Sequence, residues 1–93
     1  MKITDVRVKL VSSESRLRGV ATITFDESFV VHDIRIIEGE NGIFVAMPSK
    51  KTPNGTFRDI AHPIHGEMRK AIEDAIVVAY QEALANPVED TEE

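Results

Sequence analysis

The segment at residues 47–65 carries the side chains of this sequence that are best suited to binding. Lys50, Lys51 and Arg58 lie on either side of a Pro-Asn-Gly turn at residues 53–55, with no carboxylate between them. Lysine supplies a mobile positive charge, and arginine supplies a planar fork that fits a phosphate or the edge of a guanine. Hydroxyl groups of the same segment, which can donate to phosphate oxygens, belong to Ser49, Thr52 and Thr56. The segment therefore predicts a binding site for a polyanion.

Phe57 gives this segment two interpretations. If the ring is exposed, it offers a face on which a base can stack. The alternative is a solvated hairpin or connecting loop that carries three surface cations and buries Phe57. The sequence leaves both interpretations open.

Arg69 and Lys70 can extend the same basic surface, because both lie early in a predicted helix and away from its apolar stripe. Cations near a helix N-terminus oppose the helix dipole, which makes their position informative. The alternative is that Arg69 pairs with Glu73 and Lys70 with Asp74 at four-residue spacing. Such pairs would not prevent binding. Arg7 and Lys9 in the first strand and Arg16 and Arg18 in the following loop are weaker candidates.

The histidines do not predict a metal site. His62 and His65 are three residues apart with a carboxylate on either side, but zinc needs three or four converging ligands and Pro63 interrupts a regular helical pair. His32 alternates with apolar residues, so we expect it in the core. The chain has no cysteine, no serine in a nucleophile motif and no glycine-rich phosphate loop. We expect no enzyme activity, no metal and no cofactor.

Four strands are predicted ahead of one helix. The first two alternate apolar and polar residues, and in the third Val30, His32, Ile34 and Ile36 are expected to share one face. An Asn-Gly pair at residues 41–42 favours a turn into the fourth. The predicted strands cover residues 6–11, 20–25, 29–37 and 43–47. The fold class is therefore α+β, with a four-stranded antiparallel meander followed by one long C-terminal helix.

From residue 64 onward the apolar residues recur at helical spacing, which predicts a helix of some twenty residues. Pro63 suits its first turn, and Asn86-Pro87 is a strong stop signal. The expected buried stripe consists of Ile64, Met68, Ile72, Ala75, Ile76, Ala79 and Ala83. On the outer side, Val77, Val78 and Tyr80 add apolar surface.

One helix covers only one face of a four-stranded sheet, whereas the third and fourth strands carry apolar residues on both faces. Large exposed apolar patches usually mark interfaces. We therefore expect a homodimer, with strands or sheet faces meeting across a two-fold axis. The alternative is strong curvature that lets the helix and the loop at residues 12–18 enclose more of the sheet.

The 93 residues suffice for one domain, at residues 1–87. All 11 basic side chains lie in residues 1–70, beside 9 acidic ones, whereas residues 71–93 hold 7 acidic side chains and no basic one. Residues 88–93 are accordingly expected to form an acidic disordered tail. No apolar run reaches the length of a membrane span and the N-terminus lacks a signal peptide, so the sequence predicts a soluble cytoplasmic protein.

Taken together, three segments resemble the SpoVG family, the bacterial stage V sporulation or septation protein G. These segments are MKITDVRVKL at the start, VHDIRIIEGENGIFVAMPSKK in the middle and FRDIAHPI before the helix. The resemblance extends to about residue 85. It implies a small dimeric regulator of septation and sporulation that binds DNA site-specifically, with RNA binding attributed to some members.

Carried over to this chain, the resemblance implies nucleic-acid contacts at Lys50, Lys51, Arg58, Arg69 and Lys70. Thr52 and Asn54 of the same basic segment are predicted as further contacts from their polar side chains. The rival interpretation is a protein-interaction module of the division or septation pathway, which would use the apolar surface assigned above to the dimer. Composition does not separate the two, because a dimer interface and a partner site look alike.

Overall fold

The computed structural model describes residues 1–12 and 15–86, so the expected tail at residues 88–93 lies outside the described residues. Four strands form one antiparallel sheet in chain order, and a short hairpin and one helix follow. The predicted α+β meander with one C-terminal helix is confirmed. The elements are β1 (Ile3–Leu10), β2 (Leu17–Phe25), β3 (Phe29–Gly39), β4 (Gly42–Ala46), β5 (Ser49–Lys51), β6 (Phe57–Asp59) and α1 (Gly66–Ala85).

One face of the sheet forms the core together with α1. From Gly19 onward strand β2 alternates and buries Ala21, Ile23 and Phe25, whereas a register shift between Leu17 and Gly19 places Leu17 on the other face. The helix places Ile72 and Ile76 in the same cluster. Burying a side chain of this size stabilises the fold by about 1.5–3 kcal/mol. The largest fully buried side chains are Ile23, Ile34, Ile36 and Ile76.

A β-bulge in β3 changes the expected alternation of that strand. His32 and Asp33 together oppose a single residue of β2, and Asp33 has a φ of +64°. One extra residue moves the side chains before it to the opposite faces. Val31 therefore packs against the core, whereas Val30 and His32 are exposed. The predictions of a core histidine at His32 and of a face shared with Ile34 are wrong.

Helix α1 begins two residues later than the apolar pattern indicates. His65 is the N-cap, and its Nδ1 accepts a hydrogen bond from the backbone N–H of Met68 at 3.2 Å. Pro63 therefore precedes the helix, and Ile64, expected on the buried stripe, is 87% exposed. Tyr80, expected on the outer side, is buried. No helix of the described residues is long and apolar enough to cross a membrane.

The turn between β2 and β3 holds two non-glycine residues in the left-handed region. Asp26 has a φ of +53° and Glu27 a φ of +54°. Asp26 Oδ1 accepts from the backbone N–H of Lys2 at 3.0 Å, and the backbone N–H of Glu27 donates to Thr4 Oγ1 at 2.9 Å. Contacts with the N-terminal strand thus hold the turn in a backbone conformation that its side chains disfavour.

The second face of the sheet, which we call the open face, lies opposite the helix. Leu17, Ile37 and Phe44 are in register across β2, β3 and β4, and they form an apolar strip on this face. Phe44 is 51% exposed, and the other two side chains are half-buried. The helix packs on the opposite face and does not cover this strip. The expected homodimer stays a prediction.

Candidate nucleic-acid interface

The basic segment folds as a hydrogen-bonded hairpin. Strands β5 and β6 pair antiparallel, so that Lys50 faces Arg58 and Lys51 faces Phe57. Beyond the strands, the backbone N–H of Thr52 donates to Thr56 O at 2.7 Å, and the two hydroxyl oxygens lie 2.9 Å apart. This ladder sets which of the cations lie opposite each other on the hairpin.

The tip of the hairpin is a glycine-dependent turn. The backbone N–H of Gly55 donates to Thr52 O at 2.9 Å, and Gly55 has a φ of +88°. Only glycine adopts such a conformation without steric cost. Asn54, predicted as a contact, is exposed at this tip, and the side chain of Thr52 is hydrogen-bonded to that of Thr56.

The three hairpin cations are exposed and have no carboxylate partner. Within residues 1–12 and 15–86, no acidic oxygen lies within ion-pair distance of Lys50, Lys51 or Arg58. By contrast, Arg7 bonds Asp5 at 3.0 Å and Arg18 bonds Glu38 at 2.7 Å. These two weaker candidates are thus neutralised locally, whereas the hairpin presents uncompensated positive charge.

The helix cations form the ion pairs that the alternative interpretation described. Arg69 lies 4.0 Å from Glu73, and Lys70 lies 3.2 Å from Asp74. Both belong to α1, which packs on the core face of the sheet. The hairpin instead meets the open face. The structure thus places Lys50, Lys51 and Arg58 on one hairpin, and Arg69 and Lys70 on the helix.

Arg35 joins the hairpin to the sheet, and the sequence-based analysis missed it. Its Nη2 donates to Ser49 Oγ at 3.3 Å, across 14 residues of chain. The sequence signal for Arg35 was its position between two isoleucines, Ile34 and Ile36. Successive strand residues point to opposite faces, and both isoleucines are fully buried, so Arg35 lies on the other face. Arg35 therefore lies on the open face, where it adds a fourth cation beside the hairpin.

A groove lies between the open face and the hairpin. Its volume is about 370 Å³. Phe57 lies at the edge of the groove and is 67% exposed, so the exposed one of the two interpretations holds. The groove is lined by Leu17, Val20, Asp33, Arg35, Pro48, Ser49, Phe57 and Ile60.

The two histidines near the helix do not converge on a common point. His65 Nδ1 is occupied by the cap of α1, and His62 Nδ1 lies 2.9 Å from Pro63 O. Among the described residues, no three His, Asp or Glu side chains are grouped as metal ligands. The cationic hairpin is therefore the candidate site that the described residues offer.

Comparison with known proteins identifies the family. The SpoVG family model matches residues 1–82, which include the sheet, the hairpin and most of the helix. The chain belongs to the SpoVG family. A protein of Acholeplasma laidlawii named as a septation protein SpoVG is 76% identical over 84 residues, covering 90% of this chain and 89% of the relative.

Further SpoVG relatives come from other bacteria. The Clostridioides difficile protein is 60% identical over 84 residues, which cover 90% of this chain and 91% of the relative. The Staphylococcus saprophyticus protein is 58% identical over 82 residues, which cover 88% of this chain and 81% of the relative. Both are named as septation proteins SpoVG, a name that refers to a cellular process and not to a catalysed reaction.

Proposed function

We propose that this protein is a non-enzymatic cytoplasmic regulator of septation and sporulation that binds DNA, and also RNA, through the β5–β6 hairpin. The observation that carries the proposal is the pair formed by Lys50 and Arg58, two like charges held directly opposite each other with no carboxylate partner among the described residues. Like charges in this arrangement destabilise a hairpin. A polyanion bound across both would remove that repulsion.

The hairpin supplies the kinds of contact that phosphate backbones need. Lys50, Lys51 and Arg58 offer charge, and exposed Asn54 offers an amide donor. Phosphate contacts of this kind give affinity and position, whereas base edges give specificity. Arg69 and Lys70 serve as secondary contacts, since their partners Glu73 and Asp74 are exposed and an exposed pair is weak.

A homodimer built on the apolar strip would double the basic surface. Leu17, Ile37 and Phe44 form an uncharged row on the open face, as expected of an interface core. Two hairpins then present six cations from three positions. At about −0.9 per neutralised phosphate, the logarithm of the binding constant should fall with the logarithm of the salt concentration with a slope of about −5. The slope is thus a direct count of engaged cations.

The test is a titration of the full chain against mixed duplex DNA and against RNA at two salt concentrations. Changing Lys50, Lys51 and Arg58 to Ala should weaken binding to both and flatten the slope, with little loss of stability. The control replaces Lys2, Arg7 and Arg18 with Ala, which removes the same charge from positions outside the hairpin. Equal effects of the two triple variants would mean that only net charge matters.

If the wild-type chain binds neither nucleic acid, the proposal fails and the rival function gains support. That rival is a protein-interaction module of the septation pathway, and the strip at Leu17, Ile37 and Phe44 would then be its partner site. A variant of the strip that loses the septation function, while the triple hairpin variant keeps it, identifies this outcome.

A further inference from the structure

The geometry points to the groove beside the hairpin as a subsite for one unstacked base of a single-stranded nucleic acid, with the base stacked on Phe57. This inference rests on the proposed function and extends it by naming the strand state of the ligand. It predicts that single strands bind more tightly than the corresponding duplex.

The hairpin divides its functions between its two faces. Residues directly opposite in an antiparallel pair lie on the same side, and successive residues lie on opposite sides. Lys50 and Arg58 therefore share one side, whereas Phe57 shares the other with Lys51, Ser49 and Asp59. Ser49 and Phe57 both line the groove. The ring thus faces the groove, next to a cation that can hold the adjoining phosphate.

The floor of the groove is apolar at its centre and cationic on either side. Val20 pairs with Lys9 on β1 and with Arg35 on β3, so two positive side chains flank it on the open face. Arg35 uses Nη2 to bond Ser49 Oγ, and its guanidinium carries further N–H donors. A planar base fits an apolar floor, and its phosphates fit the flanking cations.

The remaining wall of the groove can read the edge of a base. Asp33 lines the groove, held there by its positive φ in the bulge. A carboxylate accepts a hydrogen bond from the amino group of cytosine. The volume of about 370 Å³ lies within the range of small-ligand sites, which is roughly 300–1,000 Å³.

Charge favours a nucleotide over a second copy of this chain in the groove. Charged side chains are depleted at the centres of protein interfaces, yet Asp33 and Arg35 lie within the groove. The uncharged strip is the better self-interface, since Ile37 and Phe44 lie outside the groove and only Leu17 borders both surfaces. A duplex cannot use the groove because its bases are paired and stacked, whereas a single strand can turn one base outward.

The experiment compares a labelled single strand of about 12 nucleotides with its own duplex, using fluorescence anisotropy on the full chain. The wild type should bind the single strand more tightly. Phe57→Ala should weaken single-strand binding about fivefold or more and leave duplex binding within twofold, as expected of a lost stacking face. Phe57→Tyr, which keeps a ring, should restore single-strand binding.

Phe29→Ala is the matched control, because Phe29 is 61% exposed but lines a different cleft. It should leave single-strand binding unchanged. A second readout is photocrosslinking of thiouridine-containing RNA, followed by peptide mapping. The crosslink should fall on the tryptic peptide at residues 52–58, which contains Phe57.

Two results overturn the subsite. The first is that Phe57→Ala binds single strands as tightly as the wild type does. If the triple hairpin variant still loses duplex binding, the proposed function remains intact while the subsite is ruled out. The other is Phe57→Ala turning a dimer into a monomer in light scattering, which would make the groove a self-interface. If the hairpin cations prove irrelevant to every nucleic acid, the proposed function itself fails.

Discussion

Lys50 and Arg58 face each other across the β5–β6 hairpin, on the same side of the ladder and without a carboxylate partner among residues 1–12 and 15–86. An isolated two-stranded hairpin is marginal in stability, and like charges directly opposite weaken it further. The repulsion is consistent with a surface kept for an anionic ligand at some cost in stability.

Reversing one charge of this pair should separate stability from binding. Arg58→Glu replaces repulsion with an attractive pair to Lys50, so we expect the free energy of unfolding to rise by about 0.2–1 kcal/mol at low salt. Nucleic-acid affinity should fall at the same time, because one phosphate contact becomes repulsive. Chemical denaturation and a binding titration of the same sample check both. If Arg58→Glu lowers both the free energy of unfolding and the affinity for nucleic acid, the assigned repulsion between Lys50 and Arg58 is contradicted.

The apolar strip predicts the oligomeric state. The wild-type chain should scatter light as a dimer at micromolar concentration, and Phe44→Ser should convert it to a folded monomer because it removes the largest side chain of the strip. Phe29→Ser, on the core side of the sheet, is the control and should stay dimeric. A clean wild-type monomer that keeps its circular dichroism signal would remove the basis for the dimer.

The left-handed turn predicts a stabilising change to glycine. Glu27 has a φ of +54°, where a non-glycine residue costs about 1–2 kcal/mol. Glu27→Gly keeps the backbone donor to Thr4 and should raise the free energy of unfolding by about 1 kcal/mol. Glu40→Gly is the matched control, since Glu40 has no positive φ and glycine there only adds unfolded-state entropy. Thermal denaturation should show opposite shifts.

The acidic end of the chain predicts an effect on selectivity. Glu89, Asp90, Glu92 and Glu93 contribute −4 of the net −5 and leave residues 1–88 at −1, with 11 basic and 12 acidic side chains. A chain ending at Asn86 should bind random duplex more tightly at low salt, because a tethered polyanion no longer competes for the basic surface. The difference should shrink as salt screens it. Identical affinities at every salt concentration would limit these residues to a solubilising role.

Local pattern determined the order and type of the main elements. Alternation with β-branched residues predicted the strands of the meander, and helical spacing with the Asn86-Pro87 stop predicted a helix that ends at Ala85. These signals are local, since each depends on neighbours within a few residues. The cationic segment around Lys50 and Arg58 was visible for the same reason.

The tertiary structure decided which side each residue faces. The bulge at Asp33 exposed His32 and turned Val31 toward the core, although nothing local in the sequence marks an extra residue. Pairing is set by the partner strand, and one inserted residue reverses every face before it. The contact between Arg35 and Ser49 also depends on tertiary structure. Only the packing of the hairpin on the open face brings these two positions, 14 residues apart, into one site. The sequence by itself therefore determined the family, the four strands of the meander, the helix and the charge of the basic segment. The pairing of β5 with β6, the groove and the exposure of Phe57 came from the tertiary structure.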